Sequence, residues 1–149
     1  LGTIRVDREG NPHLYFRYFP EGSSSIYYHR YNGNIWYAQE WTDPECRFGD
    51  GDIVPVDYKT ASMLMVQRCG TQEAVSWWST EDGGGSWRQS TSLVSSSAED
   101  FVMSALIRNA HPDARVVVAA IPRNTSDMSR KMYLLGDSGP VRRKAAEIR

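Results

Sequence analysis

Three arginines stand near the ends of predicted strands: Arg17, Arg68 and Arg123. A guanidinium is charged at every working pH, and its planar fork matches a carboxylate bidentately. Three of them around one opening would hold an anionic substrate. Groups able to move a proton lie close to them in the expected fold: Glu45, Asp50 and Asp52, with the hydroxyl of Tyr18 beside Arg17. Carboxylates at such positions suit general acid–base work. Three unrelated surface arginines and an ordinary acidic loop are the alternative, and the sequence leaves it open. Other chemistries lack their motifs. There is no Walker loop, GxGxxG, CxxC, HExxH or GxSxG. His13, His29 and His111 lack metal-ligand spacing, so no metal and no cofactor is expected. His13 and His29 fall beside predicted hairpin turns, where a histidine bonded to the turn is the expected role.

The elements that must position these residues are short strands. Period-2 alternation dominates, broken by turn residues. Strands are predicted over Thr3–Asp7, His13–Phe19, Ile26–Tyr31 and Ile35–Trp41, with turns at Glu9–Pro12 and Asn32–Asn34. A second cycle runs Asp52–Asp57, Ser62–Arg68, Ala74–Ser79 and onward from Trp87; a third runs Phe101–Ile107, Arg115–Ile121, Lys131–Leu135 and onward from Val141. One helical turn over Ser95–Asp100 and a helix over Arg142–Arg149 are conceivable. Val6-Asp7 recurs as Val56-Asp57, Gly33–Trp36 as Gly84–Trp87, and Asp82-x-Gly84 as Asp137-x-Gly139. The interval is about fifty residues, the length of a propeller blade. Tyr15 faces opposite to Phe16 and Tyr18, so both sides of one strand carry large rings. A sheet stacked between two neighbours needs that. The expected fold is therefore all-β: about three four-stranded antiparallel β-propeller blades, near 1–48, 49–93 and 100–149. Three blades do not close a ring, for which about four to eight are typical. The expected partners are the remaining blades of a six- or seven-bladed ring, or a second copy of the chain.

Composition bounds the partners. The chain has 149 residues with net charge −1, which argues against a nucleic-acid binder. No apolar run approaches the ~20 residues of a membrane span. Aromatic residues make up 11%, enough to fill cores on both faces of a sheet or to stack on sugars. Cys46 and Cys69 could pair in an oxidising compartment or stay as buried thiols. The sequon Asn124-Thr125-Ser126 points to a secreted protein. The chain begins inside a predicted strand, as a piece of a longer chain would.

Thr80-Glu81-Asp82-Gly83-Gly84-Gly85-Ser86-Trp87 resembles an Asp box, with matches at Thr80, Asp82, Gly84, Ser86 and Trp87. Asp82 can accept N–H groups within the turn, Gly84 permits positive φ, and Trp87 offers a large ring for burial. Gly33–Trp36 looks like a degenerate copy. Nearly the whole chain is similar, at the level of blades, to sialidase-like proteins with bacterial-neuraminidase repeats. That resemblance implies a carbohydrate-active propeller acting on an acidic glycan or polysaccharide, as hydrolase or lyase, secreted or periplasmic. A sialidase would use a Tyr nucleophile paired with a Glu. A non-catalytic module binding glycan or protein is the other reading, since no complete catalytic set is visible. The Asp box is structural in these families and speaks to fold rather than chemistry. In propellers the functional face is built from the loops between second and third strands and between blades. Those would be Pro20–Ser25, Cys69–Glu73 and Asn124–Ser129, with Thr42–Gly51 and Ser90–Asp100.

Overall fold

Segments of five to ten alternating residues cannot bury themselves singly, and they gain stability by pairing into sheets of three or more strands. The computed structural model describes residues 2–18, 25–97, 100–106, 118–123, 133–136 and 139–140. The described residues form strands and turns only. The first sheet holds β1 (Gly2–Val6), β2 (Pro12–Tyr18), β3 (Ser25–Tyr31) and β4 (Trp36–Trp41). The second holds β5 (Cys46–Pro55), β6 (Ala61–Cys69), β7 (Gln72–Thr80) and β8 (Arg88–Ser96). The third holds β9 (Asp100–Leu106), β10 (Val118–Arg123), β11 (Tyr133–Gly136) and β12 (Gly139–Pro140). In each sheet sequence neighbours pair antiparallel, in the order of the chain.

The second sheet lies between the other two. Side chains alternate along β6, so Met63 and Met65 face one way and Leu64 and Val66 the other, all buried. Met63 and Met65 join Phe48, Trp78 and Trp87 against Tyr15, Ile26 and Tyr28 of the first sheet. Leu64 and Val66 join Val75 and Leu93 against Phe101 and Leu135 of the third. Each such burial contributes about 1.5–3 kcal/mol. The first strands also meet: β5 packs beside β1 on one side and β9 on the other.

The turn from β7 to β8 locks the first two sheets together. Gly83 (φ 76°) and Gly84 (φ 92°) lie in the left-handed region. A Cβ on Gly84 would come within 2.4 Å of the Tyr28 ring, and one on Gly83 would collide with the Arg30 guanidinium. Arg30 donates from Nη1 to the Gly83 carbonyl and stacks over Tyr58, 4.7 Å from its centroid. Trp87 meets Tyr28 edge-on with centroids 5.4 Å apart.

Several sequence expectations need correction. The connection expected over Thr42–Gly51 spans only 42–45, because Cys46 to Gly51 are already in β5. Two residues there, Gly49 and Asp50, oppose the single Val66, and the one extra residue of this bulge hides the alternation that a strand would show. Most of Ser90–Asp100 is not a loop, since Ser90 to Ser96 belong to β8 and Asp100 begins β9; of the helical turn expected over Ser95–Asp100, Ser95, Ser96 and Asp100 are in strands and residues 98–99 lie outside the described residues. Ser90, Thr91 and Ser92 are all exposed, so this strand shows no alternation of apolar and polar residues there. Cys69–Glu73 reduces to a two-residue turn at Gly70-Thr71, with Gly70 at φ 62°. The strand expected from Trp87 starts at Arg88. The expected loop and helix at 124–129 and 142–149 lie outside the described residues.

Cys46 and Cys69 sit opposite each other at the ends of β5 and β6 and form a disulfide, 23 residues apart in sequence. Closing a loop of that size restricts the unfolded chain by about 3 kcal/mol. Replacing both cysteines with serine is therefore expected to lower unfolding free energy by about 3 kcal/mol in urea titration. A loss under roughly 0.5 kcal/mol would mean that the bond adds nothing to the fold.

Candidate functional site

The β5 bulge re-aims Asp50 toward the first sheet. A Cβ on Gly49 would lie 2.8 Å from the Val66 Cβ, so the bulge needs glycine there. Arg17, from the end of β2, places Nη2 3.0 Å from Asp50 Oδ1 and donates from Nη1 to the Phe48 carbonyl at 3.1 Å. Two residues further along β5, Asp52 meets Arg5 of β1, with Nη2–Oδ2 at 2.7 Å and Nε–Oδ1 at 3.4 Å. Asp52 is 6% exposed, and its Oδ1 also accepts the Ile53 N–H. Tyr15 is buried, and its Oη has no hydrogen-bond partner among the described residues. Burial pushes its pKa up; Arg17 opposes that rise, while Asp50 and Asp52 reinforce it. The hydroxyl therefore stays protonated.

Arg68, from the end of β6, is on the opposite face of the second sheet. Its Nη2 lies 2.8 Å from Glu73 Oε1, and Glu73 Oε2 accepts the Phe101 N–H at 2.5 Å. One carboxylate thus ties an arginine of the second sheet to the first strand of the third. Arg123 stands opposite Asp100 in the register of β9 and β10; its side chain lies outside the described residues. Arg17 and Arg68 therefore share one end of the second sheet, on its two faces, and each holds a carboxylate. Tyr18 is not brought to them. It follows Arg17 on the strand and so faces away, 57% exposed, edge-on to Tyr27. Glu45 is exposed in the connection before β5, its N–H bonded to Asp43.

The opposite end of the same interface holds a second polar set. His13 is fully buried, with Nε2 3.2 Å from Asp7 Oδ2 and Nδ1 2.6 Å from Tyr28 Oη. A carboxylate only accepts, which assigns the proton to Nε2 and makes Nδ1 the acceptor of the Tyr28 hydroxyl. Asp7 also accepts the N–H groups of Glu9 and Asn11 in the β1–β2 turn. Burial raises the Asp7 pKa, but the bonds from Asn11, His13 and Glu9 outweigh it and the net shift is downward. His13 is thus joined to a turn and shut off from solvent. His29 packs at 5.2 Å against Phe16 on the first sheet's outer side.

In the Thr80–Trp87 turn, Asp82 Oδ1 accepts the Ser86 N–H (2.9 Å) and the Thr80 hydroxyl (2.8 Å), and Oδ2 accepts the Ser86 hydroxyl (2.7 Å). Thr80 Oγ1 accepts the Gly84 N–H at 2.9 Å. A cavity of about 270 Å³ opens beside it, lined by Ser79, Glu81, Asp82 and Arg88 among others. Among the described residues no group of three His, Cys, Asp or Glu could hold a metal ion.

Sequence reasoning missed Arg5, Arg47 and Glu73. Arg5 and Glu73 act across sheets, and no spacing along the chain reports that. Arg47 was hidden in the segment read as a loop.

No family model matches the chain. It is 32% identical over 154 residues to the ulvan lyase of Nonlabens ulvanivorans, covering 98% of this chain and 32% of that protein. It is 28% identical over 155 residues to an ulvan lyase, PL25, of Pseudoalteromonas sp. (strain PLSV), covering 99% of this chain and 31% of the relative. A solved structure described as a new family of polysaccharide lyase, PL25 ulvan lyase, superposes with a TM-score of 0.76 at 27% identity, over 95% of this chain and 33% of that one. A second, with the same values, is bound to -[GlcA(1-4)Rha3S]-, a glucuronate linked to a 3-sulfated rhamnose. The chain spans about a third of the length of the curated relatives it matches.

Hydrogen bonds from the Ser86 N–H, the Ser86 hydroxyl and the Thr80 hydroxyl hold Asp82 far below its ordinary pKa of 3.8. A depressed folded-state pKa stabilises fully above the unfolded value and is lost as pH falls below it. Asp82→Asn is therefore expected to lower the thermal midpoint near neutral pH. The gap from wild type should narrow as pH drops below 3.8. Midpoints measured across that range check it; a gap independent of pH would refute it.

Proposed function

We propose that this chain is a portion of a polysaccharide lyase acting on an acidic, uronate-bearing polysaccharide, and that its three sheets are neighbouring blades of a β-propeller. The observation that carries the reading is the 32% identity to an ulvan lyase across 98% of the chain. The serial four-stranded sheets, stacked face to face with their first strands side by side, support the blade arrangement. The Thr80–Trp87 turn fits an Asp box in such a blade. The disulfide is at home in an oxidising compartment, which suits a secreted or periplasmic protein.

Lyase chemistry removes the proton beside the uronate carboxylate. The electron pair left behind forms a C=C bond as the glycosidic C–O bond breaks, and a proton passes to the departing oxygen. The carboxylate must be neutralised for that proton to become acidic enough. In this reading Arg17, Arg68 and Arg123 supply the positive charge, with Asp50 and Glu73 holding the first two in place. Tyr18 and Asp52 stand further from the arginines, Asp52 committed to Arg5 and Tyr18 to the first sheet's outer face. A non-catalytic glycan-binding module is the second reading. It is favoured by one observation: Asp50, Asp52 and Glu73 each already hold an arginine.

The outer face of the first sheet exposes Ile4, Val6, Tyr18 and Trp36 around the stacked pair Phe16–Tyr27. Such a patch favours association. A further sheet covers it in this reading, from a longer form of the chain or from a second copy. The 149-residue chain alone should accordingly run above 16.9 kDa in size-exclusion chromatography with light scattering, and a stable monomer of that mass would count against the idea.

The activity is tested by the absorbance of unsaturated uronate products on ulvan. Arg68→Ala is expected to lower kcat/KM roughly 10- to 100-fold, the loss of a charged hydrogen-bonded contact. Glycan binding without any product in wild type would favour the binding module, and neither binding nor product would overturn the glycan reading altogether.

A further inference from the structure

Arg47 stands directly opposite Arg68 in the register of β5 and β6. Cross-strand partners share a face and lie close enough to interact, and like charges there are destabilising. Nothing in the pairing of β5 and β6 requires arginine at both places. Glu73 stands opposite Arg68 in the next strand and compensates one of the two charges. Its single negative charge cannot balance both guanidinium charges, and it is engaged by Arg68 at Oε1 and by the Phe101 N–H at Oε2. Arg47 is exposed and makes no hydrogen bond or ion pair among the described residues.

We infer that Arg47 and Arg68 together form an oxyanion-binding site on the rim between the second and third sheets, taking a carboxylate or a sulfate ester of the acidic polysaccharide. The inference rests on the glycan reading above and adds to it a residue with no other role in the fold. Three features prepare the site. The Cys46–Cys69 disulfide lies one register step beyond the pair, so the strand ends cannot splay to relieve the repulsion. Glu73 fixes the Arg68 guanidinium and lowers the ordering cost of a bound anion. The shared face is the one turned toward β9, since Glu73 bonds to Phe101, so the anion would sit at the open rim beside the third sheet. A local rule broken without structural gain marks a functional position. Each guanidinium can give two parallel N–H donors to an oxyanion.

The test uses the full protein with three probes: ulvan, desulfated ulvan and carboxyl-reduced ulvan, with binding followed by calorimetry. Arg47→Ala is expected to weaken binding to ulvan roughly tenfold, as for loss of one charged contact. Arg47→Lys should recover part of the affinity, since it restores charge but not the fork. The thermal midpoint of Arg47→Ala should hold or rise, because repulsion is relieved; a purely structural arginine would lower it. If the site takes sulfate, the Arg47→Ala effect disappears on desulfated ulvan; if it takes the uronate carboxylate, it disappears on carboxyl-reduced ulvan. Wild-type affinity retained by Arg47→Ala on all three probes would overturn the inference while leaving the glycan reading intact. Wild type binding none of them would overturn both.

Discussion

The inner strands of the second sheet are covered on both faces, and most of the architecture answers to that constraint. A sheet covered on both sides must be apolar on both, so β6 carries Met63 and Met65 for one neighbour and Leu64 and Val66 for the other. Polar groups in such an interface are costly when left unbonded. They accordingly gather at its ends. Arg30, Tyr28 and the Gly83–Gly84 turn close one end of the contact with the first sheet, and Arg17 and Asp50 close the other. The middle is left to rings and sulfur.

Two of the ion pairs join separate sheets, and a third reaches the next sheet through the Glu73–Phe101 bond. A surface pair contributes little. Arg5–Asp52 and Arg17–Asp50 are partly or wholly shielded and cross from β1 and β2 to β5, while Arg68 and Glu73 reach β9. The charged groups assigned to the glycan in the proposed function are thereby held by the same bonds that set one sheet against the next. Anything that alters the packing alters the charge arrangement with it.

Much of the fold was legible because hairpins are local. Strands β1 to β4 lie within a residue or two of their expected limits, since Asn32–Asn34 and Glu9–Pro12 state their turns plainly. The errors fell where a local rule was overridden. Gly49-Asp50 breaks the alternation of β5 with a bulge, and the polar residues of β8 sit on an exposed outer strand that needs no apolar face. For the site, the arginines at the strand ends were visible, but not their partners. Which carboxylate Arg17 holds depends on how two sheets stack, and which residue faces Arg68 depends on the register of a strand mistaken for a loop. The cysteines show the same limit: two thiols 23 residues apart say nothing of pairing until β5 and β6 are aligned.

The turn at Gly83 and Gly84 has one more consequence. It touches Tyr28 and Arg30 with no room for even a methyl group, at the end of the interface away from Arg17 and Asp50. Two stiff sheets that meet at both ends behave as a pair of plates on a fulcrum. Thickening one end by a single carbon tilts the plates and changes the gap at the other, so the spacing of Arg17 and Asp50 is set in part by two residues that touch neither of them.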